Sequence, residues 1–307
     1  MEKTRKIQWL AAVGQSLAWA AVLTAFGCAS QKLTIESATE AATKGDTKAE
    51  YFLAKHYAKG EGVPQNDAKA AEYMQQAAES GYAFAQNDLG VYYTLGRGVK
   101  QDPVEAAKWF RKAAEQGDPL GEYSLGFVYL QGSGVPQDVQ EAIQWYAKAA
   151  GQKQPDAAEA LGNLYLLGGY GVRINYGEAF KWYQIGAEQK NAICLNGLGF
   201  LYERGMGAPK NLDKAAEYYR EAGEQGYVRA YTNLGQLYVD GLLLKENLVE
   251  AYKWFTVGAD EGDAMARHYL MLIDLQHPLT ASQKNEACRR AHEYEAQQNK
   301  ANNQASG

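Results

Sequence analysis

The residues best able to hold a metal or act as nucleophiles are four histidines and three cysteines. His56, His268, His277 and His292 stand at no metal-ligand spacing, and no His-Glu-x-x-His occurs. Gly-x-Ser-x-Gly, the strained elbow that presents a nucleophilic serine, is absent, as is the Ser-x-x-Lys of serine β-lactamases. The pairs Gly60/Gly62, Gly96/Gly98, Gly132/Gly134 and Gly205/Gly207 could suggest a phosphate cradle. A P-loop also needs a following Gly-Lys-Ser/Thr and a preceding strand, and neither is present. The residues therefore predict no catalytic, cofactor-binding or metal-binding site, and no enzyme.

What surrounds these residues is a repeat. Leu89-Gly90, Leu125-Gly126, Leu161-Gly162, Leu198-Gly199 and Leu234-Gly235 recur at spacings of 36, 36, 37 and 36 residues. A fixed period of this size predicts a solenoid of stacked helix pairs. In Ala83 to Asp118, Ala85, Leu89 and Tyr93 fall on one helical face. A small column recurs as Ala49, Ala85, Gly121, Ala157, Cys194, Ala230 and Ala266, so Cys194 reads as a packed alanine substitute. The glycine pairs read as turns. After them come Asn66, Asp102, Asp138, Asn175, Asn211 and Asn247, all of the type that caps a helix N-terminus. Glu105, Glu141, Glu178 and Glu250 sit three residues beyond their caps, as in a capping box. The second helix carries ring pairs, Trp109-Phe110, Trp145-Tyr146, Trp182-Tyr183, Tyr218-Tyr219 and Trp254-Phe255, read as core. It closes at Gly81, Gly117, Gly226 or Gly262.

The pattern A-x-A-x-x-x-L-G-x-x-Y, G-x-G-V-x-x-D/N, A-x-x-W-Y/F-x-x-A-A-E-x-G resembles the Sel1-like repeat, a relative of the tetratricopeptide repeat. The resemblance covers about Thr34 to Asp274. It implies an all-α fold, a right-handed α-solenoid of stacked antiparallel helix pairs. Full units are expected at 47–82, 83–118, 119–154, 155–191, 192–227 and 228–263, within a solenoid spanning 34–274. A C-terminal capping helix is expected over 275–298 and a disordered tail over 299–307. Members of the family are adaptors, often periplasmic or membrane-associated. A cysteine-rich branch has been linked to penicillin binding, but its paired cysteines are missing here. In tetratricopeptide-like stacks the first helices line a concave groove. Carried over, the partner-binding lining would include Tyr51, Asn87, Tyr123, Phe127, Asn163, Asn196, Phe200, Asn233 and Gln236. Rings supply contact area and amides bond an extended partner's backbone, so a protein or peptide partner is implied.

The first 30 residues stand outside the repeat. Lys3, Arg5 and Lys6 precede an uncharged run from Ile7 to Gly27, which ends at Cys28. This has the form of a secretory signal. Gly27-Cys28 resembles the lipobox of bacterial lipoproteins, which implies cleavage after residue 27, lipidation of the Cys28 thiol and a linker over 28–33. With no Asp beside Cys28, the resemblance favours an outer-membrane lipoprotein facing the periplasm or the cell surface. Membrane contact would then run through the lipid anchor alone.

The 31 basic and 36 acidic residues give a net charge of −5. Losing Lys3, Arg5, Lys6 and Glu2 makes the remainder more negative, which argues against nucleic acid. Cys194 and Cys288 are more than two repeats apart, about 10 Å per repeat, beyond the ~7 Å reach of a disulfide. Three places break the period. The fourth unit has an extra residue within Gly168 to Val172, and Lys153 and Lys190 replace closing glycines. Leu242, Leu243 and Leu244 occupy the sixth turn, either tucked under the terminal helix or open as an apolar contact.

Overall fold

The computed structural model describes residues 33–239 and 247–305. The leader with Cys28, and Leu242 to Leu244, lie outside the described residues. The chain divides into two compact units after Asp156. Unit 1 holds α1 (Ile35–Thr43), α2 (Thr47–Lys59), α3 (Asp67–Glu79), α4 (Ala83–Leu95), α5 (Pro103–Glu115), α6 (Pro119–Gln131) and α7 (Val139–Gly151). Unit 2 is built from α8 (Pro155–Leu167), α9 (Tyr176–Glu188), α10 (Ala192–Arg204), α11 (Leu212–Glu224), α12 (Arg229–Val239), α13 (Leu248–Asp260), α14 (Ala264–Gln276) and α15 (Ala281–Ala305). Among the described residues there is no strand, only a single bridge between Gly169 and Val172. Each unit is a solenoid of antiparallel helix pairs in which neighbouring helices pack on one another, the last helix, α15, lying against α13.

The period sets helix length through its ends. Asn66, Asp102, Asp138, Asn175, Asn211 and Asn247 each accept a backbone N–H in the first turn of the helix that follows. The glutamates three residues on turn elsewhere. Glu105, Glu178 and Glu250 pair with Lys108, Lys181 and Lys253, and Glu141 accepts from Nε1 of Trp145. A second capping column was missed in the sequence: Asp46, Asp118, Asn191 and Asp263 cap α2, α6, α10 and α14. First-type helices α2, α4, α6 and α10 stop at Gly60, Gly96, Gly132 and Gly205, all left-handed.

The core runs along the seam of each pair. Of each ring pair, the second member is sealed: Phe110, Tyr146, Tyr183, Tyr219 and Phe255 are fully buried. Each lies against the glycine of a Leu-Gly pair. A Cβ added at Gly90 would stand 2.6 Å from the Phe110 ring, and one at Gly199 2.6 Å from Tyr219. The glycine is therefore a packing requirement. It lets the two helices approach within an aromatic thickness. Cys194 is fully buried in the small column and Cys288 half-buried, and the two form no disulfide with each other.

The breaks in period are absorbed locally. Lys153 (φ 66°) and Lys190 (φ 57°) adopt the left-handed conformation that Gly117 and Gly226 hold elsewhere. The extra residue is taken up by four positive-φ residues, Gly168, Gly169, Tyr170 and Gly171, with Val172 N–H donating to the Gly169 carbonyl at 2.8 Å. At the far end, α15 begins with Gln283 N–H donating to Thr280 Oγ1 and runs on to Ala305. Residues 299–305 are thus helical where a disordered tail was expected.

Candidate partner-binding faces

In unit 1 the first-type helices α2, α4 and α6 bring together Tyr51, Asn87, Tyr123 and Phe127. The Tyr51 hydroxyl donates to Asp88 Oδ2 at 2.9 Å, and Lys55 Nζ reaches the same oxygen at 3.1 Å. Burial and the Asp88 charge push that hydroxyl far above its ordinary value, so it stays a donor. Ser124 Oγ donates to Asn87 Oδ1 at 2.9 Å, and both residues are buried. Tyr123 is buried beside Tyr146, with ring centres 5.5 Å apart. Asn87 and Tyr123 are therefore withdrawn from any partner, while Tyr51 and Phe127 are half-buried.

In unit 2 the amides are also engaged. Asn163 Oδ1 accepts from the Tyr183 hydroxyl at 2.7 Å. Asn233 Nδ2 donates to Asn196 Oδ1 at 2.8 Å. Phe200 is half-buried under the Arg204 guanidinium, 5.8 Å from the ring centre, and Gln236 is half-buried. Glu203 accepts from the Tyr219 hydroxyl at 2.7 Å and pairs with Arg204 at 3.1 Å.

These bonds share a register. Tyr51 to Asp88, Ser124 to Asn87 and Asn233 to Asn196 each join residues 37 apart, from one first-type helix to the next. A second ladder joins residues 30 apart. Gln116 Nε2 donates to Gln86 Oε1 at 2.6 Å, and Gln152 Nε2 to Glu122 Oε2 at 2.9 Å. Three of the amides expected to read a partner's backbone, Asn87, Asn196 and Asn233, thus tie neighbouring repeats, and Asn163 is tied within its own.

The sequence reading missed a row of rings in unit 1. Tyr51 meets Tyr82 edge-on at 5.2 Å, and Tyr82 meets Phe84 edge-on at 5.4 Å. Phe84 is 49% exposed. Asp88 and Lys55 flank the row, and the buried Asp118 beside it has its carboxyl pushed up to about 6 by desolvation, opposed by the Gly121 N–H. The available signal was the second position of the first helix. There the exposed Phe84, Ile193 and Met265 share a column with Lys48, Leu120, Asp156 and Arg229, and an exposed ring is not required by the core.

No described helix is long and apolar enough to cross a membrane. Sel1 repeats match at residues 47–82, 83–118, 119–153, 155–191, 192–227 and 228–263. No curated protein matches the chain. Among solved structures, c5321, a protective antigen present in uropathogenic Escherichia coli strains and displaying an SLR fold, is 32% identical. It superposes with a TM-score of 0.74 over 85% of this chain, which spans only 56% of that one. A Sel1 repeat protein from Oxalobacter formigenes is 30% identical with a TM-score of 0.63, over 73% of this chain and 90% of that one. Sel1 repeat proteins are generally non-catalytic scaffolds for protein–protein interaction. Six consecutive matching repeats, folded as packed helix pairs, make this chain a member of the Sel1 repeat family.

Proposed function

We propose that this chain is a non-enzymatic adaptor lipoprotein of the bacterial cell envelope that captures a protein partner on the first-helix faces of its repeats. The observation that carries the reading is the ring row Tyr51–Tyr82–Phe84, two half-buried rings ending in the exposed Phe84, on a scaffold whose other described rings are buried or half-buried. Rigid aromatic side chains bring large contact area at low entropic cost, which is why they dominate binding hot spots. Phe127 and Phe200 extend the same kind of surface within their own units. Gly27-Cys28 after a charged and then apolar leader supports anchorage by acylation of Cys28, facing the periplasm.

In-cell crosslinking followed by pull-down from membrane extracts tests the reading. A partner recovered with the native chain and lost with Phe84→Ala or Phe200→Ala supports it. Recovery unaffected by both substitutions overturns the assignment of the face. Cys28→Ser should release the protein from the membrane fraction, and unchanged partitioning would remove the anchor.

A second reading, a surface-exposed binder of host molecules, draws on the similarity to a protective antigen. Protease treatment of intact cells separates the two, since a periplasm-facing chain survives it.

A further inference from the structure

Two helices at the C-terminal end of unit 2 direct three potential ligands toward one point. Asp260 is the last residue of α13, and His292 and Glu295 lie one turn apart on α15. One ligand atom from each lies within 4.8 Å of the others, and His292 Nε2 stands 3.7 Å from Asp260 Oδ2. Among the described residues this is the one such grouping of histidine, cysteine and carboxylate side chains.

A separate observation sets Glu295 apart. Three carboxylates of other helices that meet residues near or on α15 have partners. Glu250 meets Lys253 and Arg290, Asp274 meets Lys284, and Glu224 accepts from Tyr294 and Gln298. Glu295 Oε1 is sealed from solvent and has no hydrogen-bond partner. A buried oxygen left in that state is costly, because its lost hydration is not replaced. Its near charges are Asp260 and Glu261, opposed by His292. That is the local field a cation would neutralise.

We propose that Asp260, His292 and Glu295 bind a divalent metal ion of the zinc class, which fastens the terminal helix α15 to the end of α13. Imidazole nitrogen with two carboxylates suits zinc, cobalt or nickel, and three protein ligands leave a further position for water. Metal–ligand bonds of about 2.0–2.2 Å bring ligand atoms to about 3.4 Å from each other, so the three groups close by about an ångström. Asp260 and His292 are exposed and have the rotamer freedom to do so. Histidine spacing does not reveal the set, because one histidine takes part and the third member, Asp260, lies 32 residues away on another helix.

The test is a calorimetric Zn²⁺ titration of the untagged, chelator-stripped full chain, with Co²⁺ absorption as a second readout. One equivalent should bind and raise the melting temperature. His292→Ala and Glu295→Gln should each weaken binding at least tenfold, while His268→Ala, on α14, leaves it unchanged. Far-UV circular dichroism verifies that the variants stay helical, and Asp260→Asn substitutes for any that does not. Absence of saturable one-to-one binding, or binding that survives the ligand substitutions, overturns the proposal. Partner capture is not read in this experiment, so its outcome is separate from that of the adaptor reading.

Discussion

Interior repeats and terminal ones begin from the same plan and part at single residues. In the interior, each Leu-Gly pair meets a buried ring, as Gly199 meets Tyr219 and Gly235 meets Phe255. At the C-terminal end the pair becomes Leu270-Met271, and Met271 is 69% exposed with Leu275 beside it at 80%. A methionine there cannot admit an aromatic helix at interior distance. α15 accordingly lies chiefly against α13, with Tyr294 edge-on to Trp254 at 5.0 Å. The difference teaches that the glycine admits a ring at close range, whereas Met271 excludes one and leaves α15 to dock elsewhere.

The N-terminal end departs in a different way. Gln86 and Glu122 are bridged by Gln116 and Gln152, and Gln86 also donates to the Ala78 carbonyl at 3.0 Å. In the first repeat the same position is Glu50, and the bridging position is Ser80, which is too short to reach. Glu50 is buried, and its Oε2 has no partner.

The most severe way to break the comparison is to move the terminal residue inward. Gly199→Met should destabilise by about 3 kcal/mol, because its Cβ alone collides with Tyr219. Urea unfolding monitored by Trp fluorescence measures it, and a loss under 1 kcal/mol would sink the packing argument.

Next in size is Asp118→Asn. Burial raises the Asp118 carboxyl to about 6 in the fold, above the ordinary aspartate value. The native chain therefore keeps this contribution fully below about pH 4 and loses it as pH rises through about 6. Asparagine retains an oxygen for the Gly121 N–H without the charge. It should add up to about 2 kcal/mol at pH 8 and little at pH 4, as thermal melts across pH would reveal.

Glu50→Gln should make the first repeat behave like the second, through an amide that donates to a helix carbonyl as Gln86 does. A gain of about 1 kcal/mol at neutral pH is expected. Desolvation and Asp46 raise the Glu50 carboxyl. Protonation at low pH removes its charge, so the advantage of the glutamine shrinks as pH falls. A gain that is the same at all pH values would contradict this cause.

The smallest effect belongs to Met271→Ser, at the free end, where a change of a few tenths of a kcal/mol is expected. If it matched Gly199→Met in cost, terminal and interior positions would not differ as described.

Much of the fold was legible because the period repeats its own evidence. Six Asn/Asp caps, a small column and a ring column each point to one helix pair. The candidate site was less legible. Asn87 and Tyr51 were read as groove lining, but whether an amide faces a partner or the next repeat depends on a neighbour about 37 residues away. Phe84 went unnoticed because one exposed ring in a column of mixed types carries no periodic signal.

The sequence by itself determined the helix pairs, their caps and turns, the assignment of the ring column to the core, and the inert packing of Cys194. These follow from local propensity and from residues recurring at fixed spacing. Only the tertiary structure decided which polar side chains were used up between repeats, where α15 docks, and that Asp260, His292 and Glu295 converge. Each of those is an encounter between side chains on different helices. Its geometry is set by how the backbones stack rather than by spacing along the chain.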